Sequence, residues 1–278
     1  MPPIDPITRA AHLIHDADAL IIAAGAGMGV DSGLPGFRGS EGFWRAYPAL
    51  RASGTRFESI ASPAAFESSP ALAWGFYGHR LVLYRSTVPH RGFSLLKQWG
   101  EQKKHGYSVF TSNVDGQFQR AGFDAARVHE CHGSLLHLQC RQPCSDWIDA
   151  ADGFEPEVDT DACALLNTTP RCPHCNGLAR PNVLMFNDWG WVEQRQGTQA
   201  KRQNDWIARI RNPVVIEIGA GTAIPSVRRF TEGLARHADG HVVRINPADA
   251  AIHREMGVGL EMGALSALEA IERALARG

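Results

Sequence analysis

Short apolar runs that end in glycine or in a polar cluster set the rhythm of this chain. Leu20 to Ala24 is wholly apolar and breaks into Gly25-Ala26-Gly27. Tyr107 to Thr111 is rich in β-formers and gives way to Ser112-Asn113-Val114-Asp115-Gly116. Pro213 to Ile218 leads into Gly219-Ala220-Gly221-Thr222, and Val242 to Ile245 ends in Asn246. Runs this short and apolar predict strands buried on both faces, as in sheets covered by helices. Arg180 to Asp188 also has strand character with a polar end. Between these runs, apolar residues recur at helical spacing. Ile7, Ala10, Ala11 and Ile14 predict a helix over 6–18, and Ala65, Phe66, Leu72, Phe76 and Leu81 one over 63–85. Further helices are predicted over 92–100, 194–210 and 264–276. Together these elements predict an α/β protein. Two stretches stand outside the pattern. Residues 39–63 mix Gly, Ser and Pro with scattered aromatics, which predicts an irregular segment, either a lid over a ligand or a plain surface connection. Residues 146–169 are acidic and polar and predict a loop.

The strand ends carry the candidate chemistry, because ligands of α/β sheets bind at the carboxyl ends of the strands. Glycines in the turn after the first strand let the backbone bend tightly and approach a ligand, and a helix starting there would offer N–H groups to a pyrophosphate. The stretch lacks the third glycine of the usual dinucleotide fingerprint, since position 30 is Val. Gly33, Pro35, Phe37 and Arg38 follow, adding a rigid turn, an aromatic plate and a cation. Asn113 and Asp115 alternate after the second strand, which would point both to one side. Capping of the next helix is an equal reading for either. Three histidines cluster at 129, 132 and 137. His132, beside Gly133, is the best candidate for a base, imidazole being the side chain that titrates near neutrality. On a helix Tyr77 and Arg80 share a face, where a phenol and a guanidinium together would grip a carboxylate, although spacing alone fits an ordinary helix surface as well.

Six cysteines change the picture further. Cys140 and Cys144 form one close pair and Cys172 and Cys175 another. Two such pairs enclose a tetrahedral Zn²⁺, and a closed four-thiolate site is structural. Cys131, Cys163 and His174 read as bystanders. With 278 residues, 44% hydrophobic, and a net charge of -1, the chain has neither the basic field of a nucleic-acid binder nor an apolar run near the about 20 residues that span a bilayer. Met1 to Pro6 shows no charged segment followed by an apolar core, so a cytoplasmic location is expected, and in a reducing cytosol close cysteine pairs favour a metal over a disulfide.

In order along nearly the whole chain, these motifs resemble the sirtuins, the NAD-dependent protein deacylases. Gly25-Ala26-Gly27 through Ser32-Gly33-Leu34-Pro35-Gly36-Phe37-Arg38-Gly39 resembles the first NAD loop. Ser112-Asn113-Val114-Asp115 resembles the nicotinamide and ribose motif, and His132-Gly133 the catalytic His-Gly. Arg180 to Phe186, with Val183, Met185 and Phe186, resembles the strand that pairs with an acyl-lysine peptide. Gly219, Gly221, Thr222 and Asn246 match the adenosine end. The resemblance implies a Rossmann-like, doubly wound parallel sheet over 1–39, 85–135 and 181–278. It implies a small domain made of a helical insert over 40–84 and a zinc-binding insert over 136–180. It implies NAD and Zn²⁺, an acyl-lysine protein or peptide as partner, and transfer of the acyl group to ADP-ribose. Asp115 would hold the nicotinamide amide, Asn113 would position ribose hydroxyls or water, Phe37 would screen the sugar, Arg38 would order the phosphate loop, and His132 would act as base.

Phe76-Tyr77-Gly78-His79-Arg80 resembles the desuccinylase and demalonylase branch, which grips an acidic acyl chain with Tyr-x-x-Arg. Departures from the family pattern are Gly36 for Asp, Ser112 for Gln, Phe118 for His, Gly219-Ala220-Gly221 for Gly-Thr-Ser, and a first cysteine pair wider by one residue. They keep open an ADP-ribosyltransferase or NAD hydrolase, and a non-catalytic module that binds NAD or ADP-ribose.

Overall fold

The computed structural model of the chain describes residues 4–36, 39–237 and 240–277. Helix α1 (Pro6–Asp16) precedes strand β1 (Ala19–Ala24) and a 3₁₀ helix over Ala26–Ser32. Helices α2 (Gly39–Ala46), α3 (Pro48–Ala52), α4 (Phe57–Ile60), α5 (Pro63–Ser68), α6 (Pro70–Ser86) and α7 (Arg91–Glu101) lead to β2 (Tyr107–Thr111), α8 (Gln117–Arg120) and β3 (Val128–Glu130). Strands β4 (Gly133–Cys140), β5 (Ile148–Ala150), β6 (Val158–Asp159), β7 (Ala164–Leu165) and β8 (Ala179–Val183) follow. The chain then alternates α9 (Gln194–Ile207), β9 (Pro213–Ile218), α10 (Ser226–His237), β10 (His241–Ile245), β11 (Gly257–Leu260) and α11 (Ala264–Leu275).

Six strands form one sheet in the order β11-β10-β9-β1-β2-β3, every neighbour parallel. Counted in chain order the sheet runs 3-2-1-4-5-6, the doubly wound arrangement. Alternate residues of β1 go to opposite cores. Leu20 and Ile22 pack with Phe93, Leu96, Val109, Ile216 and Leu268, while Ile21 and Ala23 pack with Phe110, Val215 and Val227. A strand buried on both faces must be apolar at every position, and β1 is.

A second core gathers Phe43, Phe66, Trp74, Phe76, Tyr77 and Leu81 from the helices with Leu135 and Leu165 from strands and Phe154 and Met185 from the segments beside them. Trp74 meets the Phe154 ring at 4.9 Å and donates its indole N–H to the Ala179 carbonyl. Here β4 pairs antiparallel with β5 and β8, and β6 with β7.

Four expectations need correction. Residues 39–63 are not irregular, for short helices α2, α3 and α4 occupy most of them, each too short to show a helical period. The helix expected over 63–85 is two helices, broken at Ser69, where the following proline disfavours helical backbone. Residues 146–169 are not a plain loop. They contain β5, β6 and β7, and they bury Ala151, Phe154, Cys163 and Leu165. Strand β11 was not foreseen, because the two glycines in Gly257-Val258-Gly259-Leu260 dilute its apolar signal.

Candidate active site

The sheet order reverses between β1 and β9, the place where a crevice opens at the carboxyl ends of the strands. The two glycine turns meet there. A Cβ on Gly25 would lie 2.7 Å from the Gly219 carbonyl oxygen, and one on Gly27 would lie 2.6 Å from the Gly219 Cα. Gly219 has φ 61°, and it donates to the Ile245 carbonyl. These glycines are therefore required by one another, backbone against backbone, rather than by approach to a ligand. The helix after β1 is 3₁₀, and two of its N–H groups are already used: Gly27 donates to the Gly219 carbonyl and Met28 to that of Gly25. Ala26, Gly221 and Thr222 remain exposed, with open space at the Gly33 and Gly221 Cα positions. Pro35 is half-buried beyond Gly33. Phe37 and Arg38 lie outside the described residues.

Asn113 reaches back to the end of β1 and donates its amide to the Gly25 carbonyl at 3.0 Å. Its own N–H is held by the Thr111 hydroxyl, which in turn donates to the Ala24 carbonyl. Ser112 extends the ladder by donating its N–H to Ala24. Asp115 is buried, and its carboxylate accepts the Gln117 N–H at 3.0 Å. Asp115 thus closes a turn one residue before Gly116, the residue that opens α8. Burial pushes the Asp115 carboxyl up to about 6, while the Gln117 N–H and the nearby Arg80 guanidinium pull it down.

Of the three histidines only His132 reaches the crevice. Its Nε2 lies 3.1 Å from the Ser226 hydroxyl, at the first turn of α10. Burial lowers its pKa, and a backbone hydrogen bond with Ser112 partly offsets this. Gly133 has φ 77° and packs on the Asn182 carbonyl, leaving no room for a side chain. His129 instead faces α9, between Gln203 and Gln196. His137 sits on β4, pushed down to about 4 by burial.

Beyond β8 the chain passes directly beside the histidine. Leu184 donates its N–H to the His132 carbonyl, and Phe186 donates to that of Ala61. The Val183 and Met185 side chains are buried in the small core, so the segment presents backbone, while Phe186 packs edge-on against Phe57. A groove of about 460 Å³ lined by Ser59, Ile60, Pro63, Leu72, Phe186 and Asn187 borders it. Tyr77 and Arg80 do share α6, both buried. Tyr77 stacks on Phe66. Arg80 donates to the Tyr84 hydroxyl and lies over the Phe76 and Tyr84 rings, with the phenols of Tyr47 and Tyr77 close enough to act on its charge. Asn246 is fixed by the fold: its amide donates to the Ala220 carbonyl and its oxygen accepts from the Ala248 and Asp249 N–H groups.

The four cysteine sulfurs at 140, 144, 172 and 175 lie within 4.8 Å of one another. Cys140 and Cys175 are 3.6 Å apart, as are Cys144 and Cys172, with no disulfide. A tetrahedral ion with Zn–S bonds of about 2.3 Å holds its sulfurs about 3.8 Å apart, so the donor set and spacing fit zinc. The cluster pins the end of β4 to the chain entering β8.

Ser226 and Arg228 are the residues sequence reasoning missed. Neither belongs to a recognisable motif, and each acts through a contact formed only in the folded chain.

Comparison with known proteins agrees with this geometry. The model of the Sir2 family matches residues 25–210. An NAD-dependent protein deacylase of Aeropyrum pernix is 27% identical over 274 residues, covering 98% of each chain. One of Pyrococcus furiosus is 30% identical over 243 residues, 86% of each. Among solved structures, the complex of a Sir2 homolog with NAD superposes with a TM-score of 0.72 at 22% identity, over 99% of this chain and 95% of that one.

Proposed function

The chain belongs to the Sir2 family, and from that premise we propose that it is an NAD-dependent protein-lysine deacylase. The observation that carries the reading is the convergence of His132, Asn113 and both glycine turns on the crevice between β1 and β9. Bound NAD supplies a sugar carbon that sheds nicotinamide when an acyl oxygen attacks it. Asp115 accepts from the nicotinamide amide. Asn113 orients hydroxyls or water at the mouth of β2. His132 takes a proton from a ribose hydroxyl, with help worth roughly 10²–10⁴ in rate. The backbone of 183–186 receives the peptide, and Gly221 and Thr222 lie toward the adenosine. Zinc holds the small module together and takes no part in the chemistry.

For the acyl group we infer an acidic chain, malonyl or succinyl. Arg80, buried among phenols, offers a charge-assisted partner to a carboxylate entering beside Tyr77. We read residues 1–39, 85–135 and 181–278 as the NAD-binding domain, and 40–84 with 136–180 as the small one. A cytoplasmic location fits the reduced cysteines. Among the described residues no helix is long and apolar enough to cross a membrane.

The test is to incubate the protein with NAD and acetyl-, succinyl- or malonyl-lysine peptide and follow products by mass spectrometry. Peptide-dependent nicotinamide release with O-acyl-ADP-ribose supports deacylation. Release without peptide overturns it in favour of an NAD hydrolase or ADP-ribosyltransferase.

A further inference from the structure

The imidazole of His132 has a fixed partner at one nitrogen. Its Nε2 lies 3.1 Å from the Ser226 hydroxyl. When the Ser226 hydroxyl donates, Nε2 carries the lone pair and the proton of the neutral ring sits on Nδ1. A hydroxyl suits that position in either state, donating to neutral imidazole and accepting from imidazolium.

Ser226 is itself well fixed. It opens α10, and two residues on Arg228 is buried and donates to the carbonyls of Ala220 and Asp249. Arg228 also pairs with the Asp249 carboxylate at 3.1 Å. The first turn of α10 is thus tied to the loop after β9, and that loop is interlocked with the turn after β1.

Resting on the deacylase reading, we propose that Ser226 is a positioning residue for the base, keeping the His132 Nε2 lone pair aimed into the crevice until the ribose hydroxyl takes the place of the serine hydroxyl. Ser226 does not contact the acyl group and has no part in the departure of nicotinamide, which precedes the base-dependent step.

That order supplies the test. Exchange of labelled nicotinamide into NAD, in the presence of acyl peptide, reads the steps before the base acts. Formation of deacylated peptide reads those steps plus the base. In Ser226→Ala the ratio of deacylation to exchange is expected to fall at least about tenfold, the scale of a misaimed catalytic group. Ser226→Thr, which keeps the hydroxyl, is expected to restore the ratio to within about threefold of the parent, relative to that tenfold loss. Thermal midpoints of both variants report whether they fold. A ratio unchanged in Ser226→Ala, or one lost equally in Ser226→Thr, overturns the inference. Absence of peptide-dependent exchange in the unaltered protein is a failure of the deacylase reading instead.

Discussion

Arg180 and Asp188 form an ion pair at 2.7 Å with both side chains fully buried. The guanidinium also donates to the carbonyls of Val183 and Gly190, and the carboxylate accepts the Gly190 N–H. The pair thereby folds the segment after β8 back on itself, beside His132. Removing one partner strands a charge in the interior. Asp188→Asn is expected to destabilise the protein by about 3–5 kcal/mol, measured by denaturant unfolding. A loss under about 1 kcal/mol, the scale of an exposed pair, would refute this role.

The glycine interlock makes two superficially similar substitutions unequal. Gly33 and Gly219 both have positive φ, 85° and 61°. Nothing lies within 4 Å of a Cβ on Gly33, whereas one on Gly219 meets the Gly27 backbone. Gly33→Ala is expected to cost about 1–2 kcal/mol, the left-handed penalty alone. Gly219→Ala adds overpacking of about 1–3 kcal/mol and should also weaken NAD binding. Thermal melts with and without NAD compare them, and equal losses would refute the interlock.

Asp115 gives a pH signature. Its pKa is raised from 3.8 to about 6, so the folded protein keeps this proton over a range where the unfolded chain has released it. The stability tied to the protonated carboxyl is whole below about pH 4 and is lost as pH rises to about 6. Asp115→Asn cannot ionise. Its melting temperature relative to the parent should therefore rise between pH 4 and 7, by the equivalent of at most about 3 kcal/mol. A difference independent of pH would show that burial does not govern this group.

Zinc should be present at one ion per chain by metal analysis, and Cys172→Ser should lower both zinc content and thermal midpoint. Because the thiolates tie β4 to β8, chelation is expected to loosen the small core first, seen as altered tryptophan emission from Trp74 and Trp147. Emission and midpoint unchanged after the metal is stripped would argue against a structural ion.

Arg80→Met replaces the buried cation by an apolar side chain of similar length. Desuccinylation relative to deacetylation, compared as kcat/KM, is expected to fall at least about tenfold, the size of a lost charge-assisted hydrogen bond. An unchanged ratio would rule out an acidic acyl preference.

Much of this architecture was legible because it depends on local composition. β1 is apolar throughout, β2, β9 and β10 are mostly so, and glycine or polar residues mark where each ends. The cysteine pairs speak through spacing alone. What escaped depends on contacts between distant segments. α2 to α4 are too short for a period, and Phe154 reads as a stray aromatic until Trp74 covers it. Asn246 occupies a familiar strand-end position, but its amide bond to the Ala220 carbonyl forms only in the folded chain. Ser226 becomes visible only once α10 is placed against His132.

The central strand has a consequence for biosynthesis. β1 is made early but borders β9, which leaves the ribosome only after the whole small module has been synthesised. Until then one edge of a strand apolar at every position stands open, and half of the dinucleotide crevice does not exist. The nascent protein must shelter that edge, and no N-terminal fragment ending before β9 can retain cofactor.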